Sequence, residues 1–304
     1  MARISFIDNN SILGKATIER TMKEVENEIF KKKSKFAFCY EDKDSLYALD
    51  ISKNISLSDI YNMDCYVVRF VLLNVDTLHS NRQEENFIKL YKAIKNIMHE
   101  TKGYYNLRIP THFVDGVIAY NRIISDDMLC GGTVEWVGKE KKCEIIKKEN
   151  VNVFWADESY IQHNRERLLS IAFESFKSYQ GQYHISDTTS EKAGIIYEKW
   201  LSQSFDEYKG NVAVVEYEGK AISFVLYGED ERAVEAVLGA VDEEYRKCGA
   251  YKTMITFGMK YAYEKNKLFV TSTQFDNFIV QGVWAQLGLK PFYSIYNVHI
   301  DARK

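Results

Sequence analysis

The sequence predicts an α+β protein of two successive units, each a twisted, mixed and mostly antiparallel sheet flanked by helices. Three observations carry that expectation: the length, the order of elements towards the C-terminus, and an echo of that order earlier in the chain. At 304 residues the chain is long enough for two domains, each with its own core. Its 46% hydrophobic and 27% charged residues are the composition of a globular chain, which excludes wholesale disorder.

The C-terminal part gives the clearest pattern. Residues 211–217 (NVAVVEY) read as a strand, Glu218-Gly219-Lys220 as a turn, and residues 221–227 (AISFVLY) as the returning arm of a hairpin. A polar turn over 228–231 leads to a third strand at 233–241 (AVEAVLGAV) and then a polar loop from Asp242 to Gly249. Tyr251, Met254, Ile255, Gly258, Met259 and Ala262 follow at helical spacing, one continuous stripe. Leu268 to Thr273 reads as a buried strand and Phe278 to Leu287 as a short helix stopped by Gly288 at C′. Phe292 to Ile300 is expected to close that sheet.

The first half repeats the later part of this order. Asp64 to Asn74 reads as a strand, and Ser80 with Gln83 as a capping box. The helix that follows carries a stripe of Phe87, Leu90, Tyr91, Ile94, Ile97 and Met98. Tyr104 to Ile109 is a strand, Phe113 to Arg122 a short helix and Thr133 to Val137 a strand. Strand, helix, strand, helix, strand thus occurs twice, the pattern of an internal duplication with domains at 1–145 and 146–304. Residues 138–150 (GKEKKCEIIKKEN) join the halves as a solvated connector, and Ser159 to Lys177 and Ser190 to Phe205 read as helices. Lys31 to Lys33 is a charged face too small for a nucleic-acid footprint.

Charge and composition exclude several functions. A net charge of -3 argues against nucleic-acid binding, and no run approaches a membrane span. Five cysteines without a C-x-x-C pair, and six histidines without H-x-x-H spacing, point to a reducing compartment and no metal site. A cytoplasmic protein is expected, and the N-terminus lacks the order of a secretion signal. The Tyr-rich composition and an open sheet edge are compatible with a homodimer.

The motif that carries chemistry is Arg246-Lys247-Cys248-Gly249-Ala250, between a strand and a helix. A small-residue loop opening a helix offers free backbone N–H groups and the positive end of the helix dipole, a site for pyrophosphate. With a hairpin before it, and strand, Asn, helix, Gly and strand after it, this half resembles the GNAT (GCN5-related N-acetyltransferase) superfamily. That family's loop is [Q/R]-x-x-G-x-[G/A]; Arg246 and Gly249 match, and Tyr251 departs where a small residue is usual. Asn277 stands where the family has an Asn against the pantetheine or phosphate arm. Residues 173–179 (FESFKSY) with 184–187 (HISD), 197–201 (YEKWL), and Ser272-Thr273-Gln274 with Asn277 are similar to segments of the dTDP-fucosamine acetyltransferase branch, a group of sugar N-acyltransferases.

The resemblance implies an acetyl-CoA-dependent N-acetyltransferase without a metal. It would move an acetyl group directly to a small-molecule primary amine, on a nucleotide-linked amino sugar. The cofactor would lie on Leu238, Gly239, Ala240, Val241, Arg246, Lys247, Cys248, Gly249, Ala250, Tyr251 and Asn277. Tyr296, on the closing strand, would protonate the leaving sulfur, and Glu235 would serve as base. A phenol titrates near ~10 and a thiol near ~8.5, so a Tyr can give up that proton without being ionised beforehand. Acetylation of another small amine or of a protein N-terminus also fits, as does a non-catalytic acyl-CoA-binding module. The first half, with Asp76 and no Gly in its loop 75–80, is expected to be a degenerate copy that binds no acyl-CoA.

Overall fold

A computed structural model of the chain describes residues 36–42, 45–73, 82–111, 128–138, 145, 149–179, 181–185, 189–207 and 211–303. Lys31 to Lys33, the loop 75–80 with the capping box at Ser80, the helix expected over 113–122, and most of the connector lie outside the described residues. By its contacts the chain divides into two compact units, residues 1–133 with 292–304, and residues 134–291.

The first unit holds β1 (Phe36–Asp42), β2 (Ser45–Lys53), α1 (Ile55–Tyr61), β3 (Cys65–Leu73), α2 (Arg82–Thr101), β4 (Tyr104–Pro110), the start of β5 (Met128–Gly138) and nearly all of β11 (Lys290–Asp301). Its strand order is β1-β2-β3-β4-β11, antiparallel except for the parallel pair β3 and β4. Residues 36–61 carry no stripe strong enough to assign from sequence. They fold as a hairpin and a short helix whose Asn54 side chain accepts from the Leu57 N–H at 3.0 Å. The α2 stripe is as expected where it is described: Tyr91, Ile94, Ile97 and Met98 are buried with Val68, Phe70, Leu107 and Ile109.

The last strand departs from expectation. Phe292 to Ile300 lies between β4 and β5: it pairs antiparallel with β4, Tyr296 opposite Ile109 and Val298 opposite Leu107, and β5 separates it from β10. Alternation explains the choice, because Val298 and Ile300 are buried in the α2 core and Tyr296 packs against it from the same face of β11. The contact division therefore differs from the halves 1–145 and 146–304.

The second unit contains the end of β5, β6 (Val151–Trp155), α3 (Glu158–His163), α4 (Arg165–Phe176), α5 (Gln182–Ile185), α6 (Ala193–Glu207), β7 (Val212–Tyr217), β8 (Lys220–Glu229), β9 (Ala233–Val241), α7 (Ala250–Glu264), β10 (Leu268–Gln274) and α8 (Phe278–Gln286). Its order is β5-β10-β9-β8-β7-β6, so β5 lies beside β10. Glu218 and Gly219 at φ 50° and 78° make the tight primed turn of the β7–β8 hairpin. Gly288 at φ 81° ends α8, with the Leu289 N–H donating to the Trp284 carbonyl at 3.0 Å. Three antiparallel strands, a helix and a parallel strand recur in both units, as β1-β2-β3-α2-β4 and β7-β8-β9-α7-β10.

Each face of the second sheet has its own core. Leu168, Ile171 and Ala172 of α4 and Leu201 and Phe205 of α6 pack with Val212, Val214, Phe224 and Leu226. Met254, Ile255, Met259 and Ala262 of α7 pack with Ala213, Val215, Val225, Tyr227 and Phe269. Tyr227 drives its hydroxyl to the Met254 carbonyl at 2.6 Å, and its ring occupies the space where Gly258 has no side chain.

A Cβ at Gly258 would stand 2.3 Å from that ring. Gly258→Ala should therefore displace α7 and lower stability by roughly 1–3 kcal/mol in denaturant unfolding, although Ala is the better helix former. His299, buried on β11 with its Nδ1 2.6 Å from the Tyr104 hydroxyl, has its pKa lowered to about 3 by burial. Folded protein thus holds it neutral, and stability is lost as pH falls below the unfolded value near ~6.5, by about 2 kcal/mol at pH 5. Unfolding of wild type and His299→Gln at pH 7 and pH 5 measures this difference, which the variant should lack.

Candidate active site

The site grows from β9. Its pairing with β8 shifts register where Leu226 faces Leu238 and Tyr227 faces Ala236, leaving Val237 as an extra residue. The bulge reverses the alternation: Val234 and Ala236 point to the α7 core, whereas Leu238 and Ala240 point to the α4 core. Parallel pairing with β10 runs from Ala233 and Leu268 only to Ala236 and Thr271. Beyond it, residues 237–241 keep β8 on one side and have no β10 partner on the other. A strand edge freed in this way exposes backbone N–H groups to a ligand. Gly239 belongs to this edge, with the Phe224 carbonyl 3.2 Å from where its Cβ would be.

The loop after β9 is held at its root. Asp242 accepts from the Glu244 N–H at 3.0 Å and is ion-paired with Arg167 of α4, whose Nε also donates to the Ala221 carbonyl at 3.0 Å. Partial burial works to raise the Asp242 pKa, but the Glu244 N–H and the Arg167 guanidinium outweigh it and hold the carboxyl low. The Ser175 hydroxyl donates to the Val241 carbonyl at 3.2 Å, a second tie from α4. The chain then passes through Glu243 to Tyr245 as one 3-10 turn and through Lys247 at φ 75° to Gly249 at φ 91°. Gly249 is the N-cap of α7 and supplies no side chain to its first turn, so the N–H groups there stay open for an anion.

Arg246 is half-exposed and meets Glu243 at 3.1 Å. Such a surface pair is weak enough to exchange for a phosphate. Cys248 is partly buried against the α7 core as a free thiol. Ala250 is buried. Tyr251, where a small residue is usual in the family's loop, packs against that same core and leaves the turn clear. Burial raises the Tyr251 pKa; the Trp284 indole N–H beside it opposes the rise without making a hydrogen bond of normal geometry.

Asn277 stands at the start of α8, past the point where β9 and β10 part. Its Oδ1 accepts from the Val280 N–H at 3.4 Å, and its Nδ2 donates to Thr273 Oγ1 at 2.9 Å and to the Tyr179 hydroxyl at 3.4 Å. Glu235 lies half-buried on β9, opposite Val270 and one residue before the parting. Leu238 to Val241, Arg246 to Tyr251, Glu235 and Asn277 all belong to the second unit, and Tyr296 belongs to the first. Tyr197 is buried and stacked on Phe176 at 4.0 Å, so it serves the core. The side chain of His184 lies outside the described residues. Arg167, Thr273 and Tyr179 had no assigned role in the sequence: nothing distinguishes one Tyr among 21, and an ion pair 75 residues apart leaves no local pattern.

No family model matches the chain, and no curated protein matches it. Solved structures do. A GCN5-related N-acetyltransferase from Sphaerobacter thermophilus superposes with a TM-score of 0.58 at 10% identity, over 91% of this chain and 86% of that one. A GNAT-family acetyltransferase from Colwellia psychrerythraea gives 0.51 at 11% identity, over 95% and 94%. A conserved protein of unknown function from Staphylococcus epidermidis gives 0.54 at 12% identity, over 90% and 97%. The chain has the GNAT fold. Among the described residues, no helix is long and apolar enough to cross a membrane, and no three His, Cys, Asp or Glu gather to hold a metal ion.

The Arg167–Asp242 pair makes the geometry of the loop testable. Arg167→Met leaves Asp242 without its cation and should cost roughly 2 kcal/mol in unfolding free energy, with Arg167→Lys recovering part of it. Hydrogen exchange should show the added opening confined to residues 242–252; an effect spread evenly over the second unit would contradict the brace.

Proposed function

We propose that this protein is an N-acetyltransferase that moves an acetyl group from acetyl-CoA to a primary amine. The observation that carries the reading is the conjunction of the unpaired edge 237–241 with the Gly249-capped start of α7. One offers donors to an acyl oxygen and the other to a pyrophosphate, on the GNAT fold. The turn fits such a ligand because Gly249 has no side chain to cap it and Tyr251 packs against the core. The packing of Tyr251 supports the acetyltransferase reading over a non-catalytic binding module.

Acetyl-CoA, when bound, supplies an activated thioester. The residues do the rest. N–H groups from Gly249 to Tyr251 and the Arg246 guanidinium, released from Glu243, would hold the phosphates, and Asn277 would orient the arm. Backbone N–H groups between Leu238 and Val241 would grip the thioester oxygen as charge develops on it. Glu235 would take the proton of the attacking amine, directly or through water. A phenol would return a proton to the sulfur, a role for which the family resemblance nominates Tyr296. For the acceptor we propose the amino group of a nucleotide-linked sugar, on the likeness of residues 173–201 and 272–277 to the sugar N-acyltransferases. The protein would act in the cytoplasm. The halves 1–145 and 146–304 would be an ancestral duplication of which only the second kept the cofactor loop, a proposal that the recurring order of elements supports.

Thermal unfolding with and without acetyl-CoA tests the core of this. At about 100 times Kd the ligand should stabilise the protein by roughly 2.7 kcal/mol, and Arg246→Glu should abolish the shift while keeping the unliganded Tm. Absence of any shift in the wild type would sink the acyl-CoA reading.

A further inference from the structure

Tyr179 lies between α4 and α5 with its phenol at the cofactor end of the second unit. Its ring is fixed on two sides, edge-on to Phe176 with centroids 5.7 Å apart, and against Gly181, where a Cβ would stand 2.8 Å from it. Its oxygen receives the Asn277 amide. The orientation of that amide is set independently, because Oδ1 is occupied by the Val280 N–H and the NH2 group must face Thr273 and Tyr179. The phenol oxygen is therefore an acceptor from Asn277, and its own O–H points away from it. Thr273 and Asn277 belong to the stretch of β10 and α8 beyond the last β9 pairing, so this O–H is presented where the two strands have separated.

Tyr296, by contrast, shares a face of β11 with Val298 and Ile300 and packs against the α2 core. A phenol placed in that row serves the first unit's interior. The second unit has a half-buried phenol of its own, held by the residue that would orient the cofactor's arm.

We propose that Tyr179 is the catalytic acid of the acyl transfer, hydrogen-bonded to the sulfur of the leaving group. The inference rests on the acyl-CoA reading above. In the step, the amine lone pair forms the C–N bond and the C–S bond breaks with its electron pair on sulfur. The sulfur takes the Tyr179 proton. The amine nitrogen loses one proton to Glu235 or water, and solvent reprotonates Tyr179, so an amine and a thioester become an amide and a thiol. The Asn277 amide, donating to the phenol oxygen, eases the transient negative charge there.

The test needs no knowledge of the natural amine. Acetyl-CoA and free CoA are titrated calorimetrically into wild type and Tyr179→Phe at pH 7 and pH 9, because the thiolate fraction of free CoA is far larger at pH 9 than at pH 7. Phe keeps the contacts with Phe176 and Gly181. Wild type should bind CoA more tightly at pH 9 than at pH 7, and Tyr179→Phe should lose about tenfold in CoA affinity at pH 9 with acetyl-CoA unchanged within about twofold. With hydroxylamine as acceptor, thiol release by the variant should fall about a hundredfold at unchanged KM for acetyl-CoA. Equal losses for both ligands, or none, would overturn the role of Tyr179 while leaving the cofactor site standing. The same selective loss in Tyr296→Phe instead would return the acid to β11. A wild type that binds neither ligand would remove the acyl-CoA reading itself.

Discussion

One extra residue in one strand organises the second unit. The bulge at Val237 turns the inner half of β9 towards α7 and the outer half towards α4, so a nine-residue strand contributes to two cores in succession. A strand that twists through such a bulge cannot stay parallel to its neighbour, and pairing with β10 stops at Ala236 and Thr271. Past that point lie the free strand edge, the Gly249 turn that follows β9 and Asn277 that follows β10. These parts come from local chemistry, but their shared place past the last β9–β10 pair follows from the bulge.

The helices around this edge act as braces with different tasks. Packing of α7 is set by Tyr227 and Gly258, a ring and the absence of a side chain, which brings the N-terminal turn of the helix to its height above β9. Helix α4 grips the other side through Arg167 and Ser175, so the loop root is held by an ion pair and the end of the strand by a hydroxyl. Elements that would face the cofactor and the amine are thus mechanically joined at Asp242.

Much of this was legible in the sequence for a physical reason: the elements of the second unit are specified by local patterns. The α7 stripe, the Glu218-Gly219 turn, the Gly288 stop and the small-residue loop at 246–250 each lie within a few residues, and each is found in the structure. What could not be read depends on partners far apart in the chain. Apolar alternation makes 296, 298 and 300 a strand face but does not say which strands flank it; that β4 lies on one side and β5 on the other depends on complements from distant segments such as α2. Tyr251 was legible as a departure from the family's loop but not in its consequence, because where a ring turns depends on the space the α7 core leaves for it.

The pairing of β4 with β11 also bears on how the chain comes to be folded. Their partnered residues, Tyr104 to Pro110 and Ile295 to Asp301, are separated by the whole second unit, whose own strands and helices are contiguous in sequence. During synthesis the second unit can collect all its elements first, while β4 waits with an open edge for a strand not yet made. The first part of the protein to be translated is therefore the last to be completed. A chain halted anywhere between residues 111 and 290 would leave that edge bare, which makes stalled or truncated forms the ones most exposed to pairing with each other.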